Sequence, residues 1–162
     1  MPAWQCGPMS GFEMREIGWV RGGRSAVEDD AWGSVVSRIE LDDDQFGPEA
    51  FAGLDACSHV EVLFVFDQVD PDTVCRGVRH PRGRTDWPLV GIFAQRAKDR
   101  PNRIGSTVCN LVRVDGAAIE VSGLDAVDGT PVIDVKPYLA EFGPRGDVRQ
   151  PTWATELMGG YW

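Results

Sequence analysis

Apolar residues along this chain gather in short runs separated by polar, glycine-rich and proline-rich stretches, and the runs fall roughly ten residues apart. EIGWVR (16–21) reads as a first strand and SVVSRIELD (34–42) as a second, with the polar stretch RGGRSAVEDDAWG between them as a loop. PEAFAGLDAC (48–57) predicts a short helical turn whose length Gly53 limits. HVEVLFVFDQV (59–69) is the strongest strand, dense in β-branched and aromatic residues and apolar on both faces at its centre, as expected of a deep central strand. LVGIFAQ (89–95) predicts a further strand. STVCNLVRV (106–114) and AAIEVSGL (117–124) flank Asp115-Gly116, which predicts a hairpin closed by a type I′ turn, and Asp128-Gly129-Thr130-Pro131 predicts a turn into the strand VIDVKPY (132–138). Many short strands with few helical segments predict a mainly β fold, a barrel or a sandwich decorated by loops.

Between two of the strands, DPDTVCRGVRHPRGRTDWP (70–88) holds three prolines, four arginines and His80 without apolar periodicity, and so predicts a long loop of functional interest. The tail WATELMGGYW predicts one helical turn, with Leu157, Met158 and the tryptophans either packed on the core, covering a barrel end, or covering a subunit partner. No repeat or change of composition divides the chain, so a single domain over 1–162 is expected, with a loose start over residues 1–14.

Composition narrows the function classes. The chain has 162 residues, 19 of them Gly and 11 Pro, and a formal charge of −9. That charge disfavours a partner held mainly through phosphates, so any nucleic-acid contact must be local or supplied partly by a second subunit. The four cysteines, at 6, 57, 75 and 109, and the two histidines show no zinc-ligand spacing; reduced thiols and no metal are expected. No run approaches a membrane span, and the first residues lack a basic and apolar leader pattern, which predicts a cytoplasmic protein without membrane contact. Phosphate loops, GxGxxG, GxSxG and HExxH motifs are absent from the sequence.

Two segments carry candidate chemistry. In RAKDRPNRIG (96–105), Pro101 stops any helix, Arg96 and Arg100 could grip a carboxylate, and Asn102 could cap a turn or bind a polar edge. In GLDAVDGTPVIDVKPY, alternation puts Asp134, Lys136 and Tyr138 on one strand face, pointing into a site or to solvent. Taken alone, each segment reads first as a salt-bridged surface turn, and neither names a reaction.

In succession, GIFAQRAKDRPNRIGSTVCNLVRVDG and SGLDAVDGTPVIDVKPY resemble the TrmO family of S-adenosylmethionine-dependent tRNA methyltransferases, also described as TsaA-like or VirR-like; the resemblance covers residues 15–140. It implies a small single-domain β-barrel with short helical turns, a long functional loop, and a homodimer that binds S-adenosylmethionine near its interface. The cofactor residues it implies are Phe93, Ala94, Gln95, Arg96, Arg100, Asn102, Ile104 and Gly105 on one side, with Leu124, Asp125, Asp128, Gly129 and Thr130 on the other. Lys136 and Tyr138 lie in the same matching string. With His80, a base or acceptor-orienting group or else a structural loop histidine, they form the candidate catalytic set, whereas His59 reads as structural. The implied reaction is methylation of N6 of threonylcarbamoyladenosine 37 in tRNA, with the Arg76–Arg84 and Arg96–Arg103 segments as a local basic patch. Methylation of a small-molecule metabolite, or S-adenosylmethionine binding without turnover, are the alternatives. The sequence departs from the family where RGGRSAVEDDAWG replaces a Ser-Pro-Phe string and where Gln95 replaces a common Thr.

Overall fold

The computed structural model describes residue 11 and residues 13–162, so Cys6 and most of the expected loose start lie outside it. Eight strands form among the described residues: β1 (Gly18–Arg21), β2 (Val36–Leu41), β3 (His59–Val65), β4 (Val78–Arg79), β5 (Val90–Gly91), β6 (Ile104–Asp115), β7 (Ala118–Ser122) and β8 (Pro131–Pro137). Six of them close an antiparallel barrel in the order β1-β2-β7-β6-β3-β8, and β4 and β5 pair separately. Closure removes the exposed edges that short strands would otherwise present.

The barrel interior is built from one face of each strand. Val20, Ile39, Val60, Val62, Phe64, Cys109, Ile119, Val121 and Val132 are all but fully buried there. Each such aliphatic or aromatic side chain contributes about 1.5–3 kcal/mol on leaving water. β3 lies between β6 and β8 as its sequence suggested, yet only its Val60, Val62 and Phe64 face is sealed. Glu61, Leu63 and Val65 point outward and are half-buried.

Three expectations change. LVGIFAQ is a strand only at Val90–Gly91. The chain then turns through a 3-10 segment at Ile92–Ala94, because buried Ile92 anchors it and the Ile92 amide donates to the Gly77 carbonyl at 2.9 Å. The β6–β7 hairpin is present, but Asp115 pairs with Ala118, leaving Gly116 and Ala117 as the loop. Only Gly116 has positive φ, 62°, which is the sign pattern of a II′ rather than an I′ turn. The long loop is ordered by β4 and by 3-10 turns that Pro71 and Pro81 open, proline being pre-set for a first helical position.

The helical turn at 48–57 splits into two 3-10 pieces at Gly53, and the tail forms α1 (Thr152–Met158). That tail covers one barrel end. Ala31 and Trp32 donate to the carbonyls of Gly160 and Tyr161, and Trp153 packs near Trp87 with ring centroids 6.3 Å apart. Cys57, Cys75 and Cys109 are free thiols. Among the described residues no helix is long and apolar enough to cross a membrane.

Candidate functional site

The arginine-bearing turn is held open by its own backbone. Pro101 begins a 3-10 turn in which Asn102 and Arg103 take φ of 64° and 52°; asparagine tolerates that left-handed geometry well, and arginine less so. The arginines of the turn itself are held by carbonyl contacts rather than by ion pairs. Arg96 donates to the Ser106 carbonyl at 2.6 Å, Arg100 to Gln95 at 2.8 Å and Arg103 to Val69 at 2.9 Å. The Gln95 side chain is buried, its amide donating to the carbonyls of Arg79 and Val90, so it ties the turn to β4 and β5.

Four other cations of the basic segments are paired. Arg79 forks onto Asp99, Arg82 donates to Asp30 at 2.7 Å, Arg84 pairs with Asp86, and Lys98 lies 3.7 Å from Asp29. The guanidinium hydrogen bonds hold the Asp30 and Asp86 carboxyls below the usual range. Among the described residues, Arg76, Arg96, Arg100 and Arg103 have no carboxylate within 4.0 Å.

On the facing side, the loop from β7 to β8 crosses the barrel end. Leu124 is fully buried in the core, and Asp125 turns to Thr107 and Tyr161, whose hydroxyls donate to its two carboxylate oxygens. Asp125 has no cationic partner among the described residues. Burial, reinforced by the Asp125 charge, raises the Tyr161 phenol, and the same two causes push the Cys109 thiol up to about 12. Asp128 instead locks two loops together, accepting from the Gly22 amide at 2.8 Å while its own amide donates to the Arg24 carbonyl. Gly129 donates to the Val20 carbonyl, and Thr130 is buried at the start of β8.

The candidate residues therefore separate by role. Arg96 and Asp125 bond consecutive residues of β6, Ser106 and Thr107, and Arg100 bonds the Gln95 carbonyl beside Arg96, with Asn102 exposed at the tip of the turn and Ile104 entering β6. Phe93 is 76% exposed and Ala94 is exposed beside it. Gly105 serves the barrel, since a Cβ there would sit 2.4 Å from the Phe64 ring.

His80 Nδ1 lies 2.6 Å from the Trp87 carbonyl, a pure acceptor, so Nδ1 carries the hydrogen and Nε2 keeps the lone pair of the neutral ring. Lys136 faces solvent on the outside of the barrel, paired with Asp134 and across from Glu61, which accepts from Ser106 Oγ at 2.7 Å. Its link to the site runs through Ser106, the residue Arg96 grips. Tyr138 is not brought to the arginine turn: its amide bonds the His59 carbonyl, whereas Gly105 pairs with Phe64, about 17 Å away along β3 at ~3.3 Å per residue.

Thr107 and Tyr161 were not singled out from the sequence. Threonine on a barrel strand is commonplace, and only the tail's aromatic content hinted that it covers an end of the barrel.

Comparison with known proteins places this geometry. Residues 28–143 match the model of the tRNA-methyltransferase O N-terminal domain. The human tRNA (adenine(37)-N6)-methyltransferase is 41% identical over 99 residues, covering 61% of this chain and 22% of the relative. An Archaeoglobus fulgidus protein named for S-adenosyl-L-methionine binding is 38% identical over 96 residues, covering 59% of this chain and 25% of its own. The crystal structure of TrmO from Pseudomonas aeruginosa superposes with a TM-score of 0.67 at 30% identity, covering 86% of this chain and 61% of that one. The chain thus spans about a quarter or less of these two curated relatives. With most of its length matched and its closed barrel shared with a solved member, the chain belongs to the tRNA-methyltransferase O N-terminal domain family.

Proposed function

We propose that this chain is an S-adenosylmethionine-dependent methyltransferase acting on N6 of the threonylcarbamoyl-modified adenosine 37 of tRNA. The observation that carries the reading is a set of charges uncompensated among the described residues: Arg96 and Arg100 without carboxylate partners, and Asp125 without a cation. S-adenosylmethionine has the complementary groups, a carboxylate for guanidinium and a ribose diol for aspartate. When bound, it supplies a methyl group already activated by a sulfonium.

The protein's own residues then orient and exclude water. Arg96 and Arg100 hold the carboxylate, Asp125 accepts from the ribose, and Asn102 with the backbone of Gln95 borders the remaining edge. Asp128, Gly129, Thr130, Leu124, Ile104 and Gly105 fix the two turns rather than touch the ligand through side chains. His80, whose Nδ1 bond to the Trp87 carbonyl leaves Nε2 as the acceptor, takes the proton that N6 loses. Lys136 acts on the site through Glu61 and Ser106.

Two copies are expected to assemble through the face bearing Val78, Leu89 and Phe93, which are exposed on or beside β4 and β5. A dimer could also bring Tyr138 near the other copy's arginine turn. Arg76 and Arg103, which have no carboxylate within 4.0 Å among the described residues, would meet RNA phosphates, a small patch that suits a cytoplasmic enzyme recognising one anticodon loop rather than a long duplex. Calorimetric titration with S-adenosylhomocysteine tests the site: wild type binds, and Arg100→Ala loses at least about tenfold in affinity, the low end for a charge-assisted contact. Unchanged affinity removes the turn from the site.

A further inference from the structure

The segment after residue 143 lies beyond the part matched by the family, yet its Tyr161 hydroxyl reaches Asp125 of the candidate site. Its position there is set by several independent contacts. The Gly160 and Tyr161 carbonyls accept from Ala31 at 2.9 Å and Trp32 at 2.8 Å, and Trp162 packs against Gly33 closely enough that a Cβ on that glycine would meet its backbone at 2.8 Å. The receiving loop is itself braced, by Arg82 on Asp30 and by the Arg24 guanidinium 4.3 Å from the Trp32 ring centroid. Trp87 donates from Nε1 to Glu156 at 2.7 Å, fastening α1 to the long loop.

A carboxylate has about four lone-pair directions and rotates freely unless its oxygens are held separately. At Asp125 one hydroxyl holds each oxygen, Thr107 on Oδ1 from the barrel wall and Tyr161 on Oδ2 from the tail. Both donors are neutral. They fix the plane of the carboxylate while leaving its charge and its remaining lone pairs available, which a lysine or arginine partner would not do.

We infer that Tyr161 is a positioning residue that sets the Asp125 carboxylate to accept from both hydroxyls of the cofactor's ribose, making the C-terminal tail part of the cofactor site. The inference rests on the proposed S-adenosylmethionine reading. Removing the phenolic hydroxyl leaves the Asp125 charge in place but lets the carboxylate turn, so the loss appears as reduced discrimination for the ribose diol rather than as a general loss of fold.

The test is calorimetric titration of the full chain with S-adenosylhomocysteine and with its 2′,3′-dideoxy analogue, for wild type, Tyr161→Phe and Asp125→Asn, with thermal unfolding of each. Wild type should prefer the ribose form by at least about tenfold. In Tyr161→Phe that preference should fall at least several-fold, towards the ratio in Asp125→Asn, at nearly unchanged unfolding temperature. Thr107→Val, which frees the other oxygen, should reduce the preference in the same direction and serves if Tyr161→Phe is unstable. A preference retained in folded Tyr161→Phe overturns the inference alone, as does tighter binding of both ligands, which would make Tyr161 a group that blocks the site. Equal binding of the two ligands by wild type also overturns it. Failure of wild type to bind either ligand removes the cofactor reading and this inference with it.

Discussion

Gly105→Ala should destabilise the barrel although Gly105 stands in the motif that names the family's site. A Cβ at this position falls 2.4 Å from Cε2 and Cζ of Phe64 and 3.0 Å from its Cδ2. The ring has little room to retreat: Phe64 is 1% exposed and meets Phe66 edge-on with centroids 5.2 Å apart. Overpacking of this kind costs about 1–3 kcal/mol. For a domain of this size each kcal/mol lowers the unfolding temperature by about 2–4 °C.

Urea denaturation followed by tryptophan fluorescence gives the loss, and a double-mutant cycle with Phe64→Leu locates its cause. Leucine vacates the ring's edge, so Gly105→Ala should cost less in the Phe64→Leu background than alone, by at least about 0.5 kcal/mol. S-adenosylhomocysteine affinity per folded molecule should change little. Full stability in Gly105→Ala, or a cost that does not depend on residue 64, would refute the packing argument.

Other outcomes follow from the same geometry. Asp128→Ala frees the Gly22 amide and should lower stability by about 0.5–1.5 kcal/mol with ligand affinity nearly intact, read by thermal unfolding and calorimetry. Native alkylation at about pH 8 should spare Cys109, whose thiol is pushed up to about 12, and modify it only after unfolding; mass spectrometry of the labelled peptides reads this. The Asp30 carboxyl is held below its ordinary value of 3.8 by the Arg82 hydrogen bond, so its contribution is complete above that value and lost as pH falls through the lowered one. The unfolding-temperature difference between wild type and Asp30→Asn should accordingly be constant above about pH 5 and shrink in more acid solution.

The sequence announced the strands well because β-branched runs bounded by Gly, Pro and Asp are a local signal, and the barrel needs little else. β3 and the β6–β7 hairpin stand where the pattern placed them. LVGIFAQ misled because its apolar residues have two uses: Ile92 is buried where its amide bonds the Gly77 carbonyl of the long loop, and Phe93 is exposed. The basic patch was legible as composition but not as charge, since Asp30, Asp86 and Asp99 reach their arginines by side-chain geometry that no spacing reveals. Asp125 was legible through its motif, whereas its partners Thr107 and Tyr161 come from 18 and 36 residues away and only the closed barrel joins them.

The central claim is methyl transfer to a modified adenosine by this chain. Purified protein should be incubated with S-adenosylmethionine and two anticodon stem-loop RNAs, one bearing threonylcarbamoyladenosine at position 37 and one with plain adenosine there, and the nucleosides identified by mass spectrometry. One added methyl is expected on N6 of the modified nucleoside only, formed at least about tenfold more slowly by Arg100→Ala at limiting S-adenosylmethionine. No methyl on either RNA, from protein that binds S-adenosylhomocysteine, would contradict the tRNA assignment.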